Sequence, residues 1–432
     1  MLRKPPKSLS NSPNNFYRFF FAASALLICF WAIWTSGRAG FARRIASQVK
    51  RGAAPLTSAD QAIRLSPSDP KIYYARGRAL SDAGQSEEAT KDFENAIALR
   101  PDDHLSWLRL GYDRDRSGDQ QGALIAYQQA VRLAPYYAQP RWYLGNLLVR
   151  MGRRDEGFAQ LRQAAASNPD LTSEAANRAL IAYNGDADVV ERVLQPQTSK
   201  TRLDLARIFV EHGNFSNAMV VFRTIGKVSG LDHRPLLDAL LKAKRFIEAR
   251  EVWAAGHQSS GGSLSGEIAS ITDGSFERGI DLDEHGFGWR VGPTTQGVRV
   301  SLDGDQPHAG AYSLRIDWNG APDPGVSVIS QLVVVEPKAR YRLSLAARTQ
   351  EALSLGLPIV RVTDASSDNN NLLGQSPPIS RGTSGWQNYD VQFVTPETSS
   401  AVVITIRRQD CNVTPCPIFG HAWFDDFSLE RF

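Results

Sequence analysis

Glycine, alanine and proline recur at an interval of 34 residues in the first half of this chain. The columns are Gly77, Gly111 and Gly145; Ala89, Ala123 and Gly157; Phe93, Tyr127 and Leu161; and Pro67, Pro101, Pro135 and Pro169. A fixed period of this length predicts stacked pairs of amphipathic helices, because small residues let backbones approach and large ones fill the gap between pairs. The proline ends the second helix of each pair. We therefore expect a helical array that binds partners.

These columns resemble the tetratricopeptide repeat (TPR). In the middle copy the matching residues are Trp107, Leu110, Gly111, Ala123, Tyr127, Ala130 and Pro135. Arg114 departs from the pattern, as does Arg76 in the first copy. The resemblance is clear over 70–169. With a preceding half-unit and weaker copies at 200–228 and 231–255, it implies an all-α TPR solenoid over 38–255, and we expect 171–199 to be helical.

The TPR resemblance implies a groove for a protein partner, lined by the first helix of each pair. The residues expected on it are Tyr74, Arg78, Leu108, Tyr112, Trp142, Asn146 and Arg150. Aromatic and arginine side chains are common anchors at interfaces. The alternative is that several of them only pack between units.

Residues 16–37 are predicted to form a transmembrane anchor that follows a basic tail, residues 1–15. The segment approaches the ~20 apolar residues that span a bilayer and carries Trp31 and Trp34 near one end. A signal peptide would have a shorter apolar core and a small-residue cleavage site. A buried helix is the other alternative.

Charge separates the membrane flanks from the rest of the chain. Residues 1–51 hold nine of the 49 Lys and Arg residues and none of the 45 Asp and Glu residues. The remainder is net acidic, so the basic balance gives no case for nucleic-acid binding. Basic residues flank both ends of the apolar run, which leaves the orientation open. We expect a single-pass protein with a periplasmic or otherwise extracytoplasmic body, because Cys411 and Cys416 can pair there as a disulfide.

The helical pattern of the sequence ends at a Gly- and Ser-rich linker, residues 256–270. Residues 271–432 alternate between apolar and polar in short runs, which predicts an all-β sandwich. The expected strands are 297–302, 312–318, 326–335, 340–347, 357–363, 386–394, 401–407 and 421–429. The fold class is thus multidomain: a membrane helix, a helical solenoid and a β-sandwich.

The β-rich segment resembles the carbohydrate-binding modules of the galactose-binding jelly-roll type. The motifs that carry the resemblance are DGSFE at 273–277, PHAGAYSLRI at 307–316, GWQNYDVQFVTP at 385–396 and WFDDFSLERF at 423–432. The resemblance implies a jelly roll and a polysaccharide ligand. Many such modules are instead structural or bind protein, and this alternative stays open.

Sugar binding needs flat aromatic faces with polar side chains beside them. We expect Trp289 and Trp318 to be stacking faces, and Asp368 and Asn370 to be hydroxyl partners. The alternatives are a core role for the two tryptophans and a solvated loop for the two polar residues. Two further tryptophans, Trp386 and Trp423, are expected to fill or cover the core.

The same resemblance implies a structural calcium ion held by Glu277 and Asp426, with an ordinary surface role as the alternative. Asp425 and Asp426 are adjacent in the last strand, so we expect them on opposite faces. Cys411 and Cys416 flank four residues that include a proline and are predicted to form a disulfide in an exported body. Two free thiols would be expected in a reducing compartment.

The sequence lacks a G-x-S-x-G elbow, a phosphate-binding loop and an H-E-x-x-H motif. We therefore expect a membrane-anchored, non-catalytic scaffold that holds a protein and a polysaccharide and needs no cofactor beyond the calcium ion. The resemblance places such a protein in exopolysaccharide assembly or export. The alternatives are a purely protein-binding scaffold and an accessory subunit of a polysaccharide-active enzyme.

Overall fold

The structure is a computed structural model of the chain. It describes residues 13–50, 56–226, 232–257, 269–293, 296–411, 413 and 415–432. Most of the predicted basic tail and of the predicted linker therefore lies outside the described residues. The chain separates into two compact units, a helical unit of residues 1–195 and a C-terminal unit of residues 196–432.

The helical unit contains ten α-helices among its described residues. They are α1 (Pro13–Lys50), α2 (Leu56–Leu65), α3 (Pro70–Asp82), α4 (Ser86–Leu99), α5 (His104–Arg116), α6 (Gln120–Leu133), α7 (Ala138–Arg150), α8 (Arg154–Ser167), α9 (Thr172–Ala182) and α10 (Ala187–Leu194). The predicted repeats at 70–169 are the pairs α3–α4, α5–α6 and α7–α8. The prediction of paired helices is confirmed.

Helix α1 is longer than the predicted anchor. Among the described residues, its segment Phe20–Gln48 is the one helical stretch long and apolar enough to cross a membrane by length and composition. The last turns of α1 pack on α2 and α3, where Ala42 and Ala46 share a core with Ala62, Ile72 and Ala75. Outside this core, the Arg43 guanidinium bonds the Asp69 carboxylate at 2.5 Å. The same helix that carries the apolar run thus continues into the helical array.

Close contact within each pair depends on the first glycine column. A Cβ added at Gly111 would lie 2.6 Å from the Tyr127 ring, and one at Gly77 would lie 3.1 Å from Phe93. The glycine lets each aromatic ring of the second helix lie directly on the backbone of the first. This contact explains why the two columns recur together.

A second glycine column, which the sequence reasoning missed, forms the turns within the pairs. Gly84, Gly118 and Gly152 have φ values of 80°, 88° and 81°. Residues with side chains rarely adopt this left-handed conformation, so glycine ends the first helix of each pair. These three residues also lie 34 positions apart, and that spacing was the available signal.

The departures from the TPR pattern are ion pairs between helices. Arg76 donates two hydrogen bonds of 2.6 Å to the buried Asp92 carboxylate and also contacts Asp60. Arg114, which stands where an aromatic residue is usual, bonds Glu94 at 2.8 Å. Charged contacts replace apolar ones at these two positions while the helix pairs keep their form.

The described residues of the C-terminal unit begin with four helices: α11 (Ser199–Glu211), α12 (Phe215–Arg223), α13 (Arg234–Lys242) and α14 (Phe246–His257). They form two further pairs, and the predicted small and aromatic columns are buried at Ala218, Phe222, Ala249 and Trp253. These helices belong to the same compact unit as the strands. The sequence-based division, in contrast, falls at residue 255.

Ten strands follow among the described residues: β1 (Arg290–Val291), β2 (Val298–Asp303), β3 (Ser313–Gly320), β4 (Ser327–Val334), β5 (Arg340–Ser354), β6 (Pro358–Asp364), β7 (Leu372–Gln375), β8 (Gly382–Val394), β9 (Ala401–Arg408) and β10 (Ile418–Arg431). All eight predicted strands are present, with β1 and β7 in addition. They form two antiparallel five-stranded sheets, which we name sheet A (β1-β4-β9-β6-β7) and sheet B (β2-β3-β10-β5-β8).

One apolar core lies between the two sheets. Its members from sheet A include Ile329, Val360 and Ile404, and those from sheet B include Ile316 and Phe424. The alternation of strands therefore fixes which residues point away from this core. On sheet B the outward positions include Arg315, Asp317, Arg348, His421 and Trp423.

Helix α14 is joined to the β-rich part by polar and aromatic contacts. Arg250 lies between the Trp253 and Phe287 rings, at 4.8 and 5.4 Å from their centroids, and its Nη1 donates to Thr272 at 2.9 Å. Gln331 of sheet A accepts the Thr272 N–H and donates to the Thr272 carbonyl. Helices and sheets of this unit therefore share a common packing.

Candidate functional site

The first candidate surface lies on α5 and α7 of the helical unit. Tyr112 and Trp142 are half-buried side chains on these two successive first helices. Arginine lies over each ring: Arg116 at 5.7 Å from the Tyr112 centroid, and Arg178 at 5.5 Å from the Trp142 centroid. We name this set the aromatic–arginine surface. Such side chains offer apolar area and charge together, which suits protein recognition.

Three more predicted groove residues lie on the first helices α3 and α7. Arg150 of α7 bonds Asp115 of α5, which links the two first helices. The Asn146 Oδ1 atom is buried and has no hydrogen-bond partner among the described residues. Arg78 of α3 is half-exposed and lies 3.8 Å from Asp82.

A cavity of about 470 Å³ opens beside Tyr74, the third aromatic residue predicted for the groove. Its other walls come from α1, α3 and the start of α5, and include Arg43, Ala46, Lys71 and Leu105. The lining combines apolar side chains with three cations, Arg43, Lys71 and Arg100, and one carboxylate, Asp103. This cavity can accept a side chain of an extended segment.

Leu108 does not lie on this surface. It is 4% exposed and packs in the core formed by α5, α6 and α7, with Ala123 and Leu144. The position follows the groove spacing, but an aliphatic side chain there is buried by the next helix pair. The prediction for Leu108 is therefore wrong.

The tryptophans expected to stack on sugar are in the sandwich core. Trp289 is 5% exposed, packs on Phe276 and Phe427, and donates its indole N–H to the Asp273 carbonyl at 3.0 Å. Trp318 is 3% exposed and points inward from β3. A sugar ring cannot reach either face, so the stacking role assigned to them is corrected to a core role.

The polar partners expected with those tryptophans have other roles. Asp368 forms an ion pair with Lys244 at 2.5 Å, and Lys244 also donates to the Ser366 carbonyl at 2.8 Å. Asn370 is exposed, adopts a positive φ of 46° and closes a turn onto the Ser367 carbonyl. The loop therefore connects to the turn before α14, and the structure does not bring it to Trp289 or Trp318.

The outward face of sheet B carries a ladder of rings and guanidinium groups that the sequence did not predict. Arg348 lies between two indoles, 5.4 Å from the Trp386 centroid and 4.2 Å from the Trp423 centroid. Arg315 covers the other side of Trp423 at 5.1 Å. Trp386 is half-buried and donates to the Gln306 carbonyl at 3.1 Å. We name these four residues the sheet B ladder.

The alternation of side chains along each strand could have revealed this ladder from the sequence. Trp423 alternates with the inward residues Ala422 and Phe424, so it covers the sheet from outside. Trp423 was expected to be buried, and it is 3% exposed, because Arg315 and Arg348 cover its ring. Trp386 keeps an exposed part.

Hydrogen bonds from two carboxylates and a histidine fix the positions of the Trp423 and Arg315 side chains in the ladder. Asp303 accepts from the Trp423 indole at 2.8 Å and from Arg315 at 3.1 Å. Burial raises the pKa of Asp303, but these bonds and the Asp305 N–H outweigh it and lower the pKa below its usual range. Asp317 likewise has a lowered pKa, because Arg315 and His421 outweigh its burial. The face thus presents fixed charges of both signs.

The two carboxylates predicted to hold calcium bind different donors. Glu277 accepts the N–H groups of Ala311 and Tyr312 at 2.9 and 3.2 Å, and Asp426 bonds the His308 ring at 2.5 Å. In this arrangement they hold the turn at 308–312 through N–H donors, whereas calcium requires six to eight oxygen ligands. The described residues contain no group of three or more metal-binding side chains. A calcium ion stays a prediction.

Asp425 and Asp426 do not point to opposite sides as expected. A bulge between Asp425 and Ser428 breaks the alternation, and Asp426 has a φ of 53°. Both carboxylates therefore meet His308: Asp425 accepts its backbone N–H at 2.9 Å, and Asp426 bonds its ring. Asp425 is fully buried, and burial raises its pKa.

A disulfide joins Cys411 and Cys416 after β9. Its neighbour is the Arg408 side chain, whose Nη2 lies 2.9 Å from the Cys416 sulfur and 4.0 Å from the Cys411 sulfur.

Residues 74–138 match the family model of the tetratricopeptide repeat. An 84-residue segment is 29% identical to the protein O-mannosyl-transferase TMTC1 of Mus musculus and covers 18% of this chain. The match spans only 9% of that protein's length. Among solved structures, YrrB, a TPR protein with an unusual peptide-binding site, is 16% identical and covers 43% of this chain and 98% of its own, with a TM-score of 0.29.

A solved structure described as CBM4 is 14% identical and covers 38% of this chain and 100% of its own, with a TM-score of 0.29. The family match and the helix pairs together identify the repeats at 74–138 as tetratricopeptide repeats.

Proposed function

We propose that this chain is a membrane-anchored, non-catalytic scaffold of the cell envelope. Its TPR helices bind a protein partner, and its C-terminal sandwich, a jelly roll of the carbohydrate-binding-module type, binds a polysaccharide. The apolar run in α1 is the anchor, and the body is extracytoplasmic. Exopolysaccharide assembly or export is the setting in which such a pairing has a use.

The observation that carries the proposal is the aromatic–arginine surface. TPR proteins mediate protein–protein contacts, and here Tyr112 and Trp142 are available on successive first helices with arginine beside each ring. Buried aromatic anchors with neighbouring cations supply much of the binding energy in protein interfaces. The cavity beside Tyr74 adds a pocket for one side chain of the partner.

Substitution of the two anchors tests this role. We expect Tyr112→Ala and Trp142→Ala to lose the partner that the full chain retains on purification from solubilised membranes. Each loss should be at least about tenfold, since interface anchors contribute about 2 kcal/mol or more. Tyr136→Ala is the control, because Tyr136 is 88% exposed and belongs to neither ring pair. Equal recovery with all three variants would refute the groove.

The polysaccharide role is supported by the sheet B ladder rather than by Trp289 and Trp318. Trp386 offers part of an indole face with Arg348 and the His308 ring beside it, and Arg315, Asp317 and His421 extend the polar outward face across β3 and β10. Fixed polar groups beside an aromatic face are what a sugar site requires. The proposed ligand is still a polysaccharide, but Trp386 takes the stacking role that was expected of Trp289 and Trp318.

A glycan array probed with the full chain tests the ladder. We expect Trp386→Ala to weaken glycan binding at least about tenfold, because a ring face contributes more than about 1.4 kcal/mol when it stacks. Leu372→Ala, on β7 of the other sheet and exposed, should leave binding unchanged. If the full chain binds no glycan, the purely protein-binding scaffold replaces this part of the proposal.

The absence of the searched enzyme motifs supports a non-catalytic protein. Hydrolysis of a polysaccharide by the purified full chain would favour the alternative of a polysaccharide-active enzyme subunit.

A further inference from the structure

Arg408 is the largest fully buried side chain of the described residues, and it is a cation. It is 1% exposed and lies at the end of β9. Its donors reach the carbonyls of Gly356 and Pro322 at 3.2 and 2.7 Å and the Ser354 hydroxyl at 3.0 Å. No carboxylate of the described residues forms an ion pair with it. The guanidinium is therefore desolvated without an anion in direct contact, and the charge of Asp323 acts on it only from beyond ion-pair distance.

The remaining contact of this guanidinium is the disulfide. Nη2 lies 2.9 Å from the buried Cys416 sulfur, while Cys411 is half-exposed and farther away at 4.0 Å. A buried charge is costly unless it is paired. A thiolate at Cys416 would supply an anion in direct contact with Arg408, and only reduction of the disulfide can produce it.

We propose that Cys411–Cys416 is a thiol–disulfide exchange site for a dithiol, with Cys411 as the attacked sulfur and Arg408 holding Cys416 as the leaving thiolate. Exposure selects the attacked atom, because only Cys411 is open to solvent. Charge selects the leaving atom, because a cation next to a sulfur stabilises its thiolate form. This site is independent of partner binding by either unit.

The exchange balances as a two-electron transfer. A thiolate of the dithiol forms a bond to the Cys411 sulfur, the Cys411–Cys416 bond breaks, and its electron pair goes to Cys416. The second thiol then loses its proton and attacks the first sulfur of the reagent. Cys411 leaves and takes up a proton. The dithiol ends as a disulfide, and the chain ends with a Cys411 thiol and a Cys416 thiolate.

Among the described residues, the surface around Cys411 carries exposed apolar side chains beside the exposed Asp410. Leu355 and Val413 are exposed near it, and the exposed pair Leu353 and Phe419 lies opposite one another on β5 and β10. Gly356 adjoins the Cys411 sulfur, since a Cβ added there would lie 2.7 Å from it. A dithiol carried by another protein can therefore approach the half-exposed sulfur.

Redox equilibration of the full chain in detergent tests the site. The background carries Cys29→Ser, which removes the third cysteine. The chain is equilibrated with mixtures of reduced and oxidised dithiothreitol at pH 7, and the reduced fraction is read by maleimide mass shift. We expect Arg408→Met to lower the equilibrium constant for reduction about tenfold, which is ~30 mV for a two-electron couple.

Arg407→Met is the matched control, because Arg407 neighbours Arg408 but bonds Asp410 instead of the sulfurs. Its equilibrium constant for reduction should stay within about threefold of that of the parent. The same holds for Arg408→Lys, which keeps the charge. Equal midpoints for the parent and Arg408→Met would overturn the proposal.

A second measurement decides the matter if Arg408→Met fails to fold. In the reduced parent chain, the pH dependence of Cys416 alkylation, read by peptide mapping, should show a pKa below the ordinary value of about 8.5 for a free thiol. Cys411 should titrate near the ordinary value. Titration of both cysteines at about 8.5 would overturn the proposal.

Discussion

At the scale of single residues, the helical array depends on the absence of side chains at fixed places. Gly111 has the Tyr127 ring against its backbone, and an added Cβ would approach two ring atoms at 2.6 Å. Tyr127 is fully buried, so it cannot move away without opening the pair. The 34-residue column thus reports a packing requirement.

Gly111→Ala should destabilise the helical unit by about 1–2 kcal/mol. Overpacking of a core costs about 1–3 kcal/mol, and the better helix propensity of alanine recovers up to about 1 kcal/mol. Urea denaturation of the full chain in detergent, followed by circular dichroism, measures the change. Gly40→Ala is the control, because this helical glycine has open space around it and should show no loss. An unchanged midpoint for Gly111→Ala would show that the ring does not rest on the backbone.

At the scale of helices and strands, a buried acid on α5 makes the stability of the repeats depend on pH. Asp113 is 0% exposed, and the Ser81 and Ser86 hydroxyls beside it offset its burial only in part. Burial raises the pKa of Asp113 above its ordinary value. An acid with a raised pKa favours folding below its unfolded pKa of about 4 and loses that contribution as pH rises through the folded value.

Asp113→Asn removes this dependence. The variant should gain stability relative to the parent as pH rises from about 4 to 7, by roughly 1 kcal/mol, the order of the cost of a buried polar group that is only partly satisfied. Denaturant midpoints over that pH range measure the difference. Asp115→Asn, which removes a carboxylate paired with Arg150, should show no such gain. A difference between Asp113→Asn and the parent that does not change with pH would contradict the account.

Periodicity predicted the elements well. The 34-residue columns gave the three helix pairs at 70–169, and two-residue alternation gave eight of the ten strands. Both signals are local, because a helix or strand places neighbours in the sequence on a regular face. The two missed strands, β1 and β7, are two and four residues long and carry too little alternation to detect.

The candidate sites were harder to predict because they depend on contacts between distant parts of the chain. Trp289 and Trp386 look alike in sequence, each preceded by glycine, yet one meets Phe276 in the core and the other meets Arg348 on the outer face. The bulge that brings Asp425 and Asp426 to one histidine depends on a positive φ at Asp426, which its residue type does not reveal. Spacing alone cannot express such contacts.

At the scale of the whole molecule, two compact units divide the proposed binding roles. The helical unit carries the aromatic–arginine surface and the apolar helix, whose last turns belong to the same core as the first repeat. The C-terminal unit carries the sheet B ladder and the disulfide site. In the proposed scaffold, the membrane helix is therefore built into the unit that holds the protein partner.

The central claim is that the aromatic–arginine surface on α5 and α7 binds a partner protein while the chain is in the membrane of intact cells. Photo-cross-linking tests it most directly, with a benzoyl-phenylalanine residue placed at Trp142 or, as the control, at the exposed Tyr136 in the full-length chain. The account predicts a discrete adduct from position 142 that is absent from position 136 and is lost when Tyr112→Ala is added. Equal adducts from both positions, or none from position 142, would contradict it.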